Sequence, residues 1–287
     1  MQPVDAPVSP VGLARRWVVD YFNSHDALAA CEFATPDYTL HIGEYTFAGR
    51  DEHWLPAVQK QMDTFPGLGM TVHQIVAGTD RVAVLFTQHG ASGGSGGRMS
   101  RRAAPQAHSP ETRSAEGIRV ACWSGVAIYR SNGRQLTGCV AQEDYLTRQR
   151  QLKSGVADIV EAPAPAPWDT VALPADPQAE AVVRQWLTAS WPSPVRGVRC
   201  DDEHITGVPL AFAVESGAIT ELFCSGSEVV FHIRQTGRYL GGLPGVAPRA
   251  QTSVLHCNGI VRVQDGRVRS GRVIRDRIGL VASLKAA

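Results

Sequence analysis

The strongest constraint on how this chain can fold is a strand–turn–strand pattern that it carries twice. In the first copy Trp123 to Tyr129 is an apolar run with β-branched and aromatic members, Ser131-Asn132-Gly133 is a turn signal, and Leu136 to Ala141 resumes the strand. Glu143 and Asp144 close it. In the second copy Gly259 to Gln264 leads into Asp265-Gly266, and Arg267 to Arg275 runs on to Asp276. Gly133 matches Gly266, Arg134 matches Arg267, Gly138 matches Gly271 and Glu143 matches Asp276, all at a spacing of 133 residues. Each hairpin thus ends on a carboxylate at a matching place. The repeat predicts that the 287 residues divide into two units of ordinary domain size.

Composition removes several function classes. The net charge of +1 gives no basis for binding nucleic acid or an acidic partner. No run of 18 apolar residues is present, which predicts no membrane span. Met1 to Pro10 lacks the basic start and apolar core of a signal peptide. The six cysteines form no Cys-x-x-Cys pair, and several lie in apolar runs, so they read as buried thiols in a reducing cytoplasm.

Taken in order, Val11 to Asn23 has helical spacing, with Leu13, Trp17, Val18, Tyr21 and Phe22 on one face. Asp26 to Phe33 reads as a short helix, and Asp37 to His41 as a turn and strand. A third helix runs from Gly49 to Phe65, with Asp51 expected at its N-cap. Met70 to Ala77 and Arg81 to His89 read as strands. The Gly-, Ser- and Arg-rich stretch 91–117 reads as a mobile loop, whose Arg98, Arg101 and Arg102 are expected to be solvated. The first unit is expected to span 1–152 and the linker 153–175, where alternating Ala and Pro at 162–167 favour an extended spacer. The second unit is expected to span 176–287, opening on a helix capped by Asp176 with Pro177 as its first residue. Phe223 to Gly237 aligns without gaps on Val76 to Gly90. With His204 taken as the counterpart of His41, the second unit is shorter by about one helix, the one that holds Trp54 and Met62 in the first.

Helices followed by a long antiparallel sheet ending on an acid form an α+β pattern: two tandem cone-shaped units, each a curved sheet wrapped on its helices, the second shortened. Asp37-Tyr-Thr-Leu-His41, Gly49-Arg50, Phe65-Pro-Gly-Leu68, Asp80-Arg-Val82 and His89-Gly90 follow one another as in SnoaL-like polyketide cyclases. The chain resembles that family, part of the nuclear transport factor two-like, ketosteroid-isomerase-like superfamily. Thr236 to Gly245 resembles the family's Gly-rich segment, and Gly259 to Asp276 its closing hairpin. The resemblance implies an aspartate near the end of the last strand that serves as general acid and base in an intramolecular aldol closure, without metal or cofactor. Asp276 matches that position in residue type, and Glu143 matches it with a longer side chain.

A carboxyl deep in an apolar cone loses hydration and gains pKa, which suits proton shuttling near neutral pH. Glu143 and Asp276 are therefore the leading catalytic candidates, with His41 as a group that could polarise a carbonyl. Thr137, Cys139 and Ala141 share the face of Glu143 by the period of two and leave room for a ligand. Trp54, Met62, Phe65, Trp123 and Tyr129 are candidate walls for a flat, polyketide-like substrate, with His89, His232 and Tyr239 as further contacts. No metal or dinucleotide motif is present, so no cofactor is expected. The leading expectation is an enzyme: a cyclase or isomerase of a secondary-metabolite pathway. Two alternatives stand beside it. Polyether-type epoxide hydrolases use paired acids, for which Asp37 and Asp63 are the candidates. A non-catalytic reading has the cones bind a hydrophobic ligand, or the second merely support the first. The expected assembly is a pseudo-dimer within one chain, with a homodimer as a further option.

Overall fold

In the computed structural model, which describes residues 7–92, 118–192 and 195–286, the chain forms two sheets, each covered by its own helices. The loop predicted at 91–117, with Arg98, Arg101 and Arg102, lies outside the described residues from 93 on. The first half opens with α1 (Pro10–Arg15), capped by Ser9 and continued by π-type turns to Phe22. A short α2 (Ala30–Phe33) leads into β1 (Ala34–Ile42) and β2 (Tyr45–Ala48). The next helix starts in the π segment Arg50–Trp54 and becomes α3 (Leu55–Thr64). Asp51 does not cap it; Gly49 occupies the cap at φ +92°, and Asp51 pairs with Arg50 instead. Then come β3 (Gly69–Ala77), β4 (Arg81–Ser92), β5 (Arg119–Ser131), β6 (Leu136–Glu143) and α4 (Tyr145–Ser154).

The strands of this half lie in the order β2-β1-β6-β5-β4-β3. All neighbours are antiparallel except β1 and β6. Register shifts in β3 and at the β5–β6 turn bend the sheet. Its concave face packs on α1, the π turns and α3 around Trp17, Tyr21, Phe33, Tyr38 and Trp54, whose rings stack or tilt at 4.3 to 6.3 Å.

The segment after α4 is anchored rather than a free spacer. Ala164 donates to the Val72 carbonyl, His73 bonds the Ala162 carbonyl, and Leu173 donates to Ser225. The second half begins at α5 (Pro177–Ala189), where the Asp176 side chain accepts from two amides of the first turn. It continues through β7 (Val198–Cys200), α6 (Glu203–Thr206), β8 (Ala211–Ser225), β9 (Glu228–Gly241), β10 (Thr252–Gln264), β11 (Arg267–Arg275) and α7 (Arg277–Ala286). The strand order is β7-β11-β10-β9-β8, again with one parallel pair, β7 with β11. The counterpart of β1 is therefore β7, and His204 lies beyond it in α6. Four-residue α6 is the only helix between β7 and β8, where the first half has α3.

Strand register keeps one of the alignments expected from sequence and corrects the other. The one-residue shift at Val72–Phe86 and Gln74–Leu85 recurs at Ile219–Ile233 and Glu221–His232, so Val76–Gly90 and Phe223–Gly237 superpose without a gap. The shift at Arg130–Gly138 and Ser131–Leu136 recurs at Arg262–Ser270 and Val263–Val268, a spacing of 132 residues and not 133. Gly125 pairs with Glu143 as Cys257 pairs with Arg275, so the position equivalent to Glu143 is Arg275, not Asp276. Asp276 is the counterpart of Asp144, and each caps the helix that follows it. In both halves a phenylalanine ring covers the glycine it pairs with, Phe86 on Gly125 and Phe231 on Gly259, so closely that an added Cβ would stand 2.3 Å from it.

The outer faces of the two sheets pack on each other. Val76, Ala83, Leu85, Val126 and Ile128 meet Phe223, Val230, Ile260 and Ile274 in one buried cluster. Asn258, fully buried, reaches across it and donates to the carbonyls of Val126 at 2.8 Å and Val140 at 2.9 Å. No helix of the described residues is long and apolar enough to cross a membrane, and all six cysteines are free thiols. Asn258→Ala should cost about 1–3 kcal/mol in urea unfolding, because it strands two buried acceptors; a loss below a few tenths of a kcal/mol would show that the contact adds nothing.

Candidate active site

The concave face of the first sheet encloses a cavity of about 410 Å³. Its walls are Trp17, Tyr38, Trp54, Phe65, Phe86 and Tyr129, with small Ala127, Cys139 and Ala141 on the sheet side. The alternation of β5 and β6 makes this arrangement, since Ala127 and Tyr129 point inward together, as do Cys139, Ala141 and Glu143. Lys60 and Thr64, both exposed, mark the open side.

Among the described residues, Glu143 is the one acidic side chain lining this cavity. The Trp123 indole N–H donates to its Oε2 at 2.8 Å, and the Gln88 amide donates to its Oε1 at 3.2 Å. Gln88 is itself fixed, because its carbonyl oxygen accepts from Gln61 at 2.8 Å. Burial pushes the Glu143 carboxyl above its ordinary value, against the opposing pull of the Trp123 bond, the Arg148 charge and the Tyr145 and Gln88 bonds. The phenols of Tyr38, Tyr129 and Tyr145 are held well above their usual range by burial, so they remain protonated donors. Arg148 completes the wall, its guanidinium 4.3, 4.9 and 5.3 Å from the ring centroids of Tyr145, Trp123 and Phe65.

The structure brings together Glu143, Trp54, Phe65, Trp123 and Tyr129 from the residues expected at a site. Met62 lies beside them in the core under α3 without lining the cavity. The others are elsewhere. Asp37 and Asp63 are exposed, the latter accepting from Gln59 at 2.8 Å, so they are no acid pair in the cavity. His41 points away from the cavity on the opposite face from Leu40 and Ile42, and bonds Thr46 at 3.0 Å. His89 alternates with inward-facing Gln88, bonds Thr71 at 3.3 Å, and has its pKa lowered by burial. His232 stacks on His256 between the halves, and burial brings its pKa down to about 3. The Tyr239 hydroxyl holds the Gly-rich turn, accepting from the Leu243 amide at 2.7 Å and donating to the Val246 carbonyl at 3.1 Å.

Asp276 caps α7 by accepting from the Gly279 amide at 2.8 Å, and its other oxygen packs on Gly43 of the first half. Burial raises its pKa, but it faces the seam between the halves rather than a cone interior. Arg275, at the Glu143-equivalent position, is buried and pairs with Asp201 and Glu203. Sequence reasoning missed Gln88, Tyr145 and Arg148. Two signals could have found them: Gln88 shares the strand face of Phe86, and Tyr145 and Arg148 lie three apart on the helix that follows the acid.

Residues 14–139 match the family model of the SnoaL-like domain. No curated protein matches the chain. Among solved structures, the chain is similar to IdmH of Streptomyces antibioticus, assigned as a polyketide cyclase, at 21% identity and a TM-score of 0.36, over 50% of this chain and 98% of that one. It is similar to a protein of Shewanella denitrificans assigned as a SnoaL-like polyketide cyclase, at 16% identity and a TM-score of 0.38, over 50% and 95%. A third likeness is to AclR of Streptomyces galilaeus, assigned as a hydroxylase, at 17% identity and a TM-score of 0.36, over 50% and 98%. The segment that matches the SnoaL-like domain runs from α1 into β6 and leaves the second half unmatched.

Proposed function

We propose that the first half is a cofactor-independent cyclase or isomerase that uses Glu143 as its general acid and base on a polyketide-like substrate. One observation carries this reading: one carboxyl among the described residues, raised in pKa by burial and held by the neutral donors Trp123, Tyr145 and Gln88, faces an aromatic cavity of about 410 Å³. The Trp123 indole and the Gln88 amide both donate, so both oxygens are held as acceptors, and each keeps a second lone pair that can carry the exchangeable proton. Ionised, Glu143 takes a proton from the carbon beside a substrate carbonyl. The resulting enolate attacks a second carbonyl of the same chain, and the new alkoxide recovers that proton from Glu143. The buried phenol of Tyr129 is a donor available to the developing oxyanion, while that of Tyr145 is engaged with Glu143. The second half is assigned a supporting role, since it has no long helix at the place of α3 and has Arg275 where the first half has its acid. The expected epoxide-opening pair, Asp37 and Asp63, has no place in this mechanism because both face solvent.

Glu143→Gln should lower kcat on a cyclisable poly-β-ketone by about 10²–10⁴-fold, while a thermal-shift titration still shows binding, since a ligand at 100 times its Kd adds about 2.7 kcal/mol. Asp276→Asn should leave kcat within about twofold and cost at most ~1 kcal/mol of stability through the α7 cap. Loss of turnover in Asp276→Asn alone would overturn the assignment. Stability should also report the buried acid. Because the folded-state pKa of Glu143 lies above its unfolded value, the fold favours the protonated form; that contribution is complete below the ordinary carboxyl range and is lost as pH rises through the folded-state pKa. Urea midpoints of wild type should therefore fall relative to Glu143→Gln as pH is raised, and parallel curves would contradict it.

A further inference from the structure

The cavity holds a charge that nothing in the described structure neutralises directly. Arg148 lines it, yet among the described residues its guanidinium donates no hydrogen bond and forms no ion pair. It is instead pinned by three aromatic faces, Tyr145, Trp123 and Phe65. Phe65 and Trp123 also pack on each other at 5.4 Å, so the platform is rigid. Most buried or half-buried arginines of this chain do have acidic partners: Arg275 takes Asp201 and Glu203, Arg277 takes Asp144 and Asp202, and Arg150 takes Asp158 and Asp202. Arg148 differs in lining the cavity without an acidic partner among the described residues. The wall also carries Lys60 at the exposed rim, so two cations and one carboxyl border the cavity. Stacking fixes the plane of a guanidinium and leaves its edge donors for a ligand, in a fork that matches a carboxylate.

We propose that Arg148 is the docking group for an ionised carboxylate on a flat, largely apolar substrate, held so that the substrate's body lies among the aromatic walls and before Glu143. This rests on the reading of the cavity as the substrate site and narrows the substrate class to acids. A phosphate fits less well, since its second charge would stand in the same cavity as Glu143. The neutral donors Gln61 and Gln88 complete a polar strip between Arg148 and the acid without adding charge.

The test is a tryptophan-fluorescence titration of the full chain with a matched pair of probes, anthraquinone-2-carboxylate and anthraquinone-2-carboxamide. Wild type should bind the carboxylate about 10–100-fold more tightly than the amide, the range for a hydrogen bond to a charged group. Arg148→Met, which keeps an apolar side chain on the aromatic platform, should erase that preference and leave the amide affinity within about threefold. Arg148→Lys should retain only part of it, because a point charge lacks the planar fork. Equal binding of the two probes by wild type, or no binding of either, overturns the proposal, as does an undiminished preference in Arg148→Met. Should Arg148→Met not fold, Arg148→Gln replaces it, and the wild-type pair already decides the first question. Glu143→Gln separates this inference from the catalytic one: it should keep the carboxylate preference while losing turnover. A preference lost with turnover intact in the Arg148 variants would sink neither reading of Glu143.

Discussion

Face-to-face packing of the two sheets is the contact on which the rest of the molecule depends. In each half the concave face of the sheet is covered by that half's own helices, and the outer face is left apolar. Val76, Ala83, Leu85, Val126 and Ile128 would meet water in an isolated first half. The second half covers them with Phe223, Val230, Ile260 and Ile274, and each sheet thereby serves as the other's lid. A purely apolar seam would slide with little penalty. Asn258 sets its register, because only one placement lets its amide reach the carbonyls of both Val126 and Val140. Around the rim, Glu221 accepts from Arg81 and Arg130 of the first half, and Gln74 donates to Glu228.

The same seam reaches the cavity through α4. Asp144 caps that helix by accepting from the Thr147 amide and hydroxyl, and Arg277 of the second half binds the same carboxylate. Arg277 also faces Asp201 and Asp202, and Arg150 ties Asp202 to the strap at Asp158. These charges are largely out of water, where removing one partner is far more harmful than replacing the whole set. What the network holds is the start of α4, and Tyr145 and Arg148 lie in its first turn beyond the cap. The second half, lacking an acid at the Glu143 position, thus shapes the site from outside by fixing the helix that closes it. This is a physical role for a copy that has lost its own α3.

Sheet content and helix caps were legible because they are local. The Asp176-Pro177 start, the Asn132-Gly133 turn at φ +84° and the paired hairpins follow from residue chemistry over a few positions. The equivalence of Glu143 and Asp276 was not legible. Both follow a hairpin and both precede a helix, but Asp276 caps α7 as Asp144 caps α4, and the strand position before it is Arg275. The turns themselves differ, since Asn132–Gln135 lie beyond the last pair of the first hairpin and only Asp265 and Gly266 beyond that of the second, so a spacing read at the turn runs one residue off along the strands. His41 shows the same limit: its strand was read correctly, but which face of that strand turns inward is decided by Tyr38, Leu40 and Ile42 packing into the cone. Arg148 was invisible for a different reason, since nothing in sequence reveals that an arginine will lie on aromatic faces rather than beside an acid.

Glutamate rather than aspartate at position 143 follows from this geometry. The carboxyl must leave β6 and reach the Trp123 indole on the neighbouring strand while also meeting Gln88 two strands away. A side chain one methylene shorter would forfeit one of these bonds, and an unheld carboxyl in an apolar cavity has no fixed oxygen from which to move a proton. The balance that sets its protonation is also one the ligand can change. Burial raises its pKa and the Arg148 charge opposes that rise. An anion seated on Arg148 would cancel much of the opposing field, leaving burial to dominate and favouring the protonated acid. Binding free energies are reciprocal, so protonation of Glu143 would in turn strengthen the hold of Arg148 on an anion. An acidic substrate would therefore make ionised Glu143 a stronger base for the first proton transfer as it docks, whereas a neutral one of the same shape would leave its basicity unchanged.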